Sequence, residues 1–342
     1  MNGLYLRYIT VFLIALVLSY IITPIIGRLG KVFNILDMPA ENKLHKKPTP
    51  RIGGLAIFAG YYASLFITKN LDSSAGVIIS GGTAILILGV LDDIFRVPAV
   101  IKLIVIAILT YILASHGIIL KLFGDLYYLN LIITLFWIVG ITSALNTVDN
   151  MDGLAAGLAA ISALTFFVIA IRTSQFGWAF LSIALCGALL GFLRHNFNPA
   201  KIFMGDSGSL FLGFTLASIG AKGQWSINPA KALIIPILVL GVPIFDLAYN
   251  VIRRWIDGSA RGIIAAITFC AKDHLSHQLA GMGFSQKVSV LFIYLIAVCI
   301  SIGAIVLQNA PGWDAALLFL QFVLIFLVVI LMLMNIKNRI KI

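Results

Sequence analysis

The chain has 342 residues, of which 61% are hydrophobic and only 11% are charged, and its mean hydropathy is +1.07. Soluble domains carry about 25% charged residues, so this composition excludes an ordinary soluble protein. A net charge of +11 would suggest nucleic-acid binding in a soluble chain. In a membrane protein, basic inner loops and attraction to phosphate groups explain it more simply, so no nucleic-acid partner is expected.

Apolar runs of nearly membrane-spanning length recur along the chain and predict an all-α, polytopic integral membrane protein. We predict eleven spans, near residues 4–23, 53–68, 76–91, 101–116, 129–145, 154–171, 177–193, 209–222, 231–249, 287–307 and 314–335. With this count, 18 of the 24 Lys and Arg residues share one side and six lie on the other. Because positive charge concentrates inside, the N-terminus is predicted outside and the C-terminus in the cytoplasm.

A single transmembrane domain is predicted over residues 1–342. Its cytoplasmic loops are expected near residues 30–52, 92–100, 146–153, 194–208 and 250–286. The three cysteines, Cys186, Cys270 and Cys299, lack the spacing of a disulfide framework and are expected to be inert thiols.

Short carboxylates collect at the predicted inner ends of the spans. They are Asp92, Asp93, Asp149, Asp152, Asp206, Asp246, Asp257 and Asp273. Carboxylates at the membrane edge are energetically costly and usually functional. Since they converge on one face, they predict an all-oxygen site for a metal ion and a phosphate, open to the cytoplasm.

The stretch Asn198–Gly213 contains Asp206 just before an apolar run, with Lys201 five residues earlier. A carboxylate at this place can cap a helix or hold a divalent cation, and the stretch alone does not separate the two. Gly205 and Gly208 would let backbone approach a phosphate. The letters GDSGS resemble a serine-protease nucleophile motif, but that chemistry needs a matched His and Asp on a soluble scaffold.

Two further groups of polar residues lie at inner ends. Asp92 and Asp93 are adjacent, so one could bind Mg²⁺ while the other acts on a phosphate or its proton, and Lys102 could pair with them or with a phosphate. Two solvated acids in a turn are the alternative. Asn146, Asp149 and Asp152 would share one face if helical, whereas in a loop they are ordinary turn formers.

The inner loops also carry donors. Arg194, His195 and Asn196 precede Lys201, and His195 is as consistent with an interfacial anchor as with a ligand. His274 and His277 follow Cys270, a spacing that could belong to a zinc site. A fourth ligand is missing and nearby acids favour a hard cation, so the histidines fit better as donors to phosphate or nucleobase.

These stretches together resemble the polyprenyl-phosphate N-acetylhexosamine-1-phosphate transferases, the family that also contains phospho-N-acetylmuramoyl-pentapeptide transferase. The matching residues occur in the family's order between 37 and 286. They are Asp37–Pro39, His45, Pro48, Pro50, Arg51, Gly53, Gly54, Leu91–Asp93, Lys102, Asn146–Gly153, Asn196–Ser209, Arg253, Arg254 and His274–His277. The resemblance implies a polytopic helical enzyme of the bacterial plasma membrane that uses Mg²⁺, with Mn²⁺ as a substitute.

The resemblance also implies the roles of individual residues. Catalytic roles fall to Asp92, Asp93, Asp149 and Asp152, with metal binding by Asp93 and Asp206. Substrate-binding roles fall to His45, Lys102, Asn146, Arg194, Asn196, Lys201, His274 and His277. Three features depart from the family pattern: Arg96 replaces a third aspartate, Ser276 and Gln278 replace a His and an Arg, and the run 258–273 is longer.

The implied reaction moves N-acetylhexosamine 1-phosphate from a UDP-sugar to undecaprenyl phosphate and releases UMP, with a homodimer as a candidate assembly. The chain lacks the histidine-rich signature of the muramoyl-pentapeptide enzymes, which favours UDP-N-acetylglucosamine as the donor; the pentapeptide donor is the alternative. The expected product would start a cell-envelope glycan such as teichoic acid, O-antigen or lipopolysaccharide. A transporter is the competing class, but its polar residues should gather near the bilayer midplane between inverted repeats.

Overall fold

The computed structural model describes residues 2–39, 47–69, 73–258 and 274–340. His45, a predicted substrate ligand, and Cys270, the zinc candidate, lie outside these ranges. The chain forms two compact units, Met1–Gln224 and Trp225–Ile342. The prediction of a single transferase domain stays a prediction.

The first unit contains eight helices and one short hairpin among the described residues. The elements are α1 (Asn2–Val32), β1 (Leu36–Asp37), β2 (Thr49–Pro50), α2 (Gly54–Ile67), α3 (Ser73–Phe95), α4 (Ala99–Ser115), α5 (Tyr127–Val148), α6 (Leu154–Arg172), α7 (Phe176–Asn196) and α8 (Gly205–Lys222). The two strands are antiparallel, with Leu36 opposite Pro50 and Asp37 opposite Thr49. This pairing brings the two ends of the first predicted inner loop together.

Helix α8 is the centre of the first unit. Every residue from Ser207 to Ala221 is buried, and the helix packs against α2, α3, α5 and α6. A helix surrounded by protein needs no apolar face toward lipid. This explains why α8 carries several small and polar residues and is not among the helices apolar enough to be candidate spans.

The second unit contains five helices among the described residues. They are α9 (Pro229–Val239), α10 (Gly241–Ile256), α11 (Leu275–Gly281), α12 (Gln286–Leu307) and α13 (Gly312–Ile340). Helix α10 is amphipathic in an inverted sense, because its polar residues Asp246, Asn250 and Arg254 are buried while Trp255 and Ile256 are exposed. That arrangement suits a helix whose apolar face contacts lipid.

Seven described helices are long and apolar enough to cross a bilayer: α1, α3, α5, α6, α7, α12 and α13. Helices α2 and α4 are apolar but shorter, with 14 and 17 residues. The span predicted near 231–249 consists of two helices, α9 and α10, bent by 77°. Pro243 lies in the first turn of α10, where its missing N–H breaks no helical hydrogen bond. The chain is thus a multi-pass helical membrane protein, while the total of eleven spans and the orientation stay predictions.

Candidate active site

The N-terminus of α8 is locked to the segment before α2 by backbone hydrogen bonds. Gly53 N–H donates to Phe203 O at 3.0 Å, and Gly54 N–H donates to Met204 O at 2.9 Å. Gly205 has a φ of +72°, and a Cβ on it would meet Arg51 O at 1.9 Å. Only glycine fits this conformation and this close approach. The backbone hydrogen bonds and the close approach at Gly205 therefore fix the conformation of the turn before Asp206.

Asp93, at the end of α3, caps α8 from another helix. Its Oδ1 accepts from Asp206 N–H at 3.0 Å, and its Oδ2 accepts from Ser207 N–H at 3.1 Å. The first amides of a helix have no partner within the helix, and a carboxylate is favoured at this positive end. Arg51 Nε lies 3.9 Å from Asp93 Oδ1, and its Nη2 donates to Asp93 O. The helix cap that the sequence suggested for Asp206 is supplied by Asp93.

Lys102, in the first turn of α4, joins two carboxylates that are far apart in sequence. Its Nζ donates to Asp92 Oδ2 at 2.6 Å and to Asp206 Oδ2 at 2.8 Å. The other oxygen of Asp92 accepts from Val97 N–H at 2.6 Å in the α3–α4 turn. The predicted pairing of Lys102 with an aspartate of the Asp92–Asp93 pair is confirmed. The Lys102 ammonium group lies between Asp92 and Asp206.

The second acidic motif lies at the end of α5 and in the following loop. Because α5 ends at Val148, Asp149 and Asp152 do not share a helical face with Asn146, and the loop alternative holds. Asp152 Oδ2 accepts from Asn198 Nδ2 at 2.9 Å and from Ala200 N–H at 3.0 Å. Asp152 therefore ties this loop to the segment that leads into α8.

Asn146 contacts α8 directly, and Asp149 is near the carboxylates at the start of that helix. Burial, and then the charges of Asp206, Asp93 and Asp152, raise the pKa of Asp149 to about 8. Asn146 Oδ1 accepts from Ser209 Oγ at 2.6 Å. The two aspartate motifs and Asp206 are thus close enough to affect one another electrostatically, as the sequence predicted.

The last turn of α7 and the segment that follows it combine a structural amide with exposed basic groups. Asn196 is buried, and its Nδ2 donates to Ile202 O at 2.9 Å. Arg194 and Lys201 are exposed. His195 Nε2 lies 3.1 Å from Tyr20 O, and its ring packs on Tyr20, which supports the anchor interpretation over the ligand one. Arg194 and Lys201 remain candidates for binding phosphate.

In the second unit, His274 is fixed by α10. Its Nδ1 lies 2.6 Å from Asp246 Oδ2 and 3.0 Å from Asn250 Nδ2. His274 is the extended N-cap of α11, and His277 lies within that helix. The prediction that both histidines are donors to a phosphate or nucleobase stays a prediction.

The sequence interpretation gave no individual role to four residues that the structure places in these networks: Arg51, Ser209, Asp246 and Asn250. One signal was available, since Asp246, Asn250 and Arg254 recur every four residues in an otherwise apolar stretch. That spacing puts them on one helical face. The contacts of Arg51 and Ser209 depend on the tertiary path and had no comparable signal.

The acidic and basic side chains around the start of α8, called the first-unit cluster below, are Asp92, Asp93, Asp149, Asp206, Lys102 and Arg51. Their chemistry suits a hard cation only in part. Even with Asp149 protonated, the carboxylates of Asp92, Asp93 and Asp206 outnumber the two basic groups of Lys102 and Arg51. Within the described part of the chain, no three His, Cys, Asp or Glu residues are arranged to hold a metal ion by themselves. Mg²⁺ commonly binds one or two carboxylates and completes its shell with water and substrate phosphates. The donor set therefore fits Mg²⁺ together with a phosphorylated substrate, and not a closed protein site.

Comparison with known proteins agrees with this picture. Residues 75–224 match the model of glycosyl transferase family 4. A probable undecaprenyl-phosphate N-acetylglucosaminyl 1-phosphate transferase of Bacillus subtilis is 37% identical over 329 residues, covering 94% of this chain and 90% of the relative. A decaprenyl-phosphate N-acetylglucosaminephosphotransferase of Mycobacterium leprae is 32% identical, covering 85% and 81%.

A phospho-N-acetylmuramoyl-pentapeptide-transferase of Bacillus mycoides is 32% identical over a shorter stretch, covering 64% of this chain and 74% of the relative. The matched region of the family model contains both aspartate motifs, Lys102 and Asp206. The predicted resemblance is thereby confirmed, and this chain belongs to the polyprenyl-phosphate N-acetylhexosamine-1-phosphate transferase family.

Proposed function

We propose that this chain transfers N-acetylglucosamine 1-phosphate from UDP-N-acetylglucosamine to undecaprenyl phosphate and releases UMP. The observation that carries the proposal is Lys102 Nζ between Asp92 and Asp206, at 2.6 Å and 2.8 Å, beside the N-terminus of α8. The reacting groups are both anionic phosphates, so they need preorganised positive charge in order to meet. The ammonium group of Lys102 would supply part of this charge, and a bound Mg²⁺ would supply the rest, because Asp92 and Asp206 outweigh Lys102 by themselves.

The chemistry exchanges one phosphoanhydride for another. A phosphate oxygen of the lipid attacks the β-phosphorus of the donor, and the bond from that phosphorus to the UMP oxygen breaks. Asp92 is our candidate to accept a proton from the lipid phosphate when that phosphate arrives singly protonated. Lys102 would hold Asp92 in place and offset phosphate charge, with the exposed Arg194 at the end of α7 and the exposed Lys201 in the loop before α8 assisting.

Mg²⁺ is the proposed cofactor, with Asp206 as its principal ligand. Asp206 keeps a carboxylate oxygen toward Lys102 and lies at the start of α8. Asp93, the second proposed ligand, would have to share oxygens that already accept from Asp206 N–H and Ser207 N–H. When bound, Mg²⁺ would polarise the β-phosphoryl group and stabilise the departing UMP.

The site is proposed to face the cytoplasm of a bacterial inner membrane. Donor nucleotide would enter from that side, and the lipid phosphate would enter from the inner leaflet. The excess of Lys and Arg in the predicted inner loops supports this orientation. Within the family, the broader match to N-acetylglucosamine enzymes favours that donor over the pentapeptide donor.

A donor screen tests the proposal. Purified protein in detergent, with undecaprenyl phosphate and Mg²⁺, would be offered UDP-N-acetylglucosamine, UDP-N-acetylgalactosamine and UDP-N-acetylmuramoyl-pentapeptide in parallel. We expect UMP release and a lipid-linked diphosphate sugar, detected by mass spectrometry, with the first donor. Product formed only from the pentapeptide donor would show that the protein is a phospho-N-acetylmuramoyl-pentapeptide transferase. Absence of UMP release with every donor would contradict the enzyme assignment and favour a transporter.

A further inference from the structure

A buried carboxylate of α10 holds the start of α11. Asp246 Oδ1 accepts from Leu275 N–H at 2.8 Å, and Asp246 Oδ2 lies 2.6 Å from His274 Nδ1. Asp246 is 4% exposed, His274 is 8% exposed, and Asn250, which also contacts Nδ1, is fully buried. Two groups on one face of α10 therefore restrain a single imidazole ring.

These contacts determine which ring nitrogen remains available. Asp246 uses its second oxygen for a backbone amide, so its carboxylate acts as an acceptor toward His274, and Nδ1 carries a proton. The amide of Asn250, 3.0 Å away, then contacts Nδ1–H through its oxygen, with its O and N exchanged. The contact at Nδ1 then leaves Nε2 as the nitrogen for a ligand. A phosphate oxygen only accepts hydrogen bonds, so Nε2 would contact it as an N–H donor, and the Asp246 carboxylate would offset the positive charge of the ring in that complex. This is the arrangement by which a second residue orients a histidine without touching the ligand.

We propose that Asp246, assisted by Asn250, is a positioning residue that orients His274 so that its Nε2 binds a phosphate oxygen of the nucleotide. This inference rests on the proposed function, because that function supplies the nucleotide diphosphate as the ligand. The competing explanation is purely structural, since Asp246 also anchors the backbone of α11 through Leu275. A structural anchor would act independently of the His274 ring, whereas a positioning residue acts only through it.

The experiment is a double-variant cycle read by binding. The affinity of UDP is measured by calorimetry, with Mg²⁺ present, for the purified full-length protein in detergent. The variants are Asp246→Asn, His274→Asn and both together. His274→Asn keeps a short N–H donor near the position of Nδ1 and removes Nε2. Asp314→Asn, the same change at an exposed position at the start of α13, is the matched control.

We expect each single variant to weaken UDP binding about 10- to 100-fold, which corresponds to the loss of a hydrogen bond to a charged group. The double variant should bind no more weakly than either single variant, and Asp314→Asn should bind as the wild type does. Multiplied losses in the double variant would overturn the positioning role. A folded Asp246→Asn variant with unchanged affinity would overturn it as well.

A further variant covers the case in which Asp246→Asn does not fold. Asn250 can accept from Nδ1–H only through its amide oxygen, and Oδ1 as placed has no hydrogen-bond partner among the described residues, so Asn250→Ala removes a restraint on Nδ1 at a small cost in stability. We expect a several-fold loss of UDP affinity, and unchanged affinity would count against the proposal. Wild-type protein that binds UDP but transfers no sugar phosphate would contradict only the proposed function. Wild-type protein that binds no UDP would contradict both.

Discussion

At the scale of single residues, the first-unit cluster is a set of carboxylates whose individual contacts differ. Asp93 is committed to the amides of α8, Asp152 to the α7–α8 segment, and Asp92 and Asp206 to one ammonium group. Asp206 is the member whose carboxylate is tied to a movable side chain and not to backbone. It is therefore the one most readily available to a cation that enters with substrate.

Asp206→Asn is expected to abolish transfer, because it removes a negative charge at the proposed metal site and keeps the side-chain shape. The Asp206 N–H bond to Asp93 involves only backbone of residue 206, so the helix cap should survive. Transfer of radiolabelled sugar phosphate to lipid, together with thermal stabilisation by added Mg²⁺, measures both parts. We expect both signals to disappear in a variant that still inserts, with Asp314→Asn as the control. Wild-type turnover by a folded Asp206→Asn protein would contradict the metal assignment.

Lys102→Met is expected to separate the electrostatic role of Lys102 from its packing. Without the ammonium group, Asp92 and Asp206 lose their shared donor. Leaving a partly buried charged group without its partner costs about 1–3 kcal/mol or more. We expect a lower thermal unfolding midpoint without divalent cation and partial recovery when Mg²⁺ is added. Lys102→Arg, which keeps the charge, is the matched control for stability; equal destabilisation by both variants, unaffected by Mg²⁺, would contradict this account.

At the scale of elements, the site depends on close contact of three helices at their glycines. A Cβ on Gly54 would meet Gly208 N at 2.2 Å, and a Cβ on Gly89 would meet Ser207 Cα at 2.4 Å. Both contacts are with backbone atoms of α8, and backbone atoms cannot rotate out of the way as a flexible side chain can. Small residues that let helix backbones approach closely are typical of packing inside membranes. The position of Asp206 relative to Asp92 and Asp93 follows from this junction.

Gly89→Ala is expected to be strongly destabilising and to abolish transfer, since α3 and α8 would have to separate. Gly76→Ala lies on the same helix and is the matched control, because a Cβ there meets no atom within 4 Å. Thermal unfolding in detergent and transfer activity would be measured for both. A Gly89→Ala variant as stable and active as Gly76→Ala would show that the junction tolerates a shift and that its close packing does not determine the site.

At the scale of the whole molecule, two features indicate that the protein is surrounded by lipid. Long apolar helices carry exposed hydrophobic residues, as on α13, while α8 is enclosed by other helices. The inverted face of α10 follows the same principle. Orientation is a separate question, and it depends on the distribution of Lys and Arg between loops.

The predicted orientation places residues 37–51 and 257–277 in the cytoplasm. Single cysteines at Met38 and Asp257, in a chain whose native cysteines are replaced, should resist a membrane-impermeant maleimide in intact cells and react after permeabilisation. Lys121→Cys, in a loop predicted to be outside, should react in intact cells and serves as the opposite control. Labelling of either inner position from outside would overturn the topology and the cytoplasmic site with it.

Much of the fold could be predicted from the sequence because a helix placed in a membrane needs a long run of apolar residues, and such runs are visible in the sequence. The predicted spans coincide with helices, including the fully buried α8. The break between α9 and α10 was not predicted, since hydropathy over 231–249 does not register a change of direction. The end of α5 at Val148 could not be predicted either, because Asn and Asp occur both at helix ends and in loops; the sequence left a helix and a loop over residues 146–152 as alternatives.

The sequence alone determined the membrane class and the family, and it singled out Asp92, Asp93 and Asp206, which lie around the start of α8. These follow from composition, from apolar length and from motifs read within short stretches. Only the tertiary structure decided that Asp93 caps α8, that Lys102 joins Asp92 to Asp206, and that Asp246 holds His274. Each of these contacts except that of Asp92 with Lys102 links residues separated by 28 to 114 positions. Contacts at such separations depend on how packed helices bring the chain back on itself, and local propensity carries no information about that path.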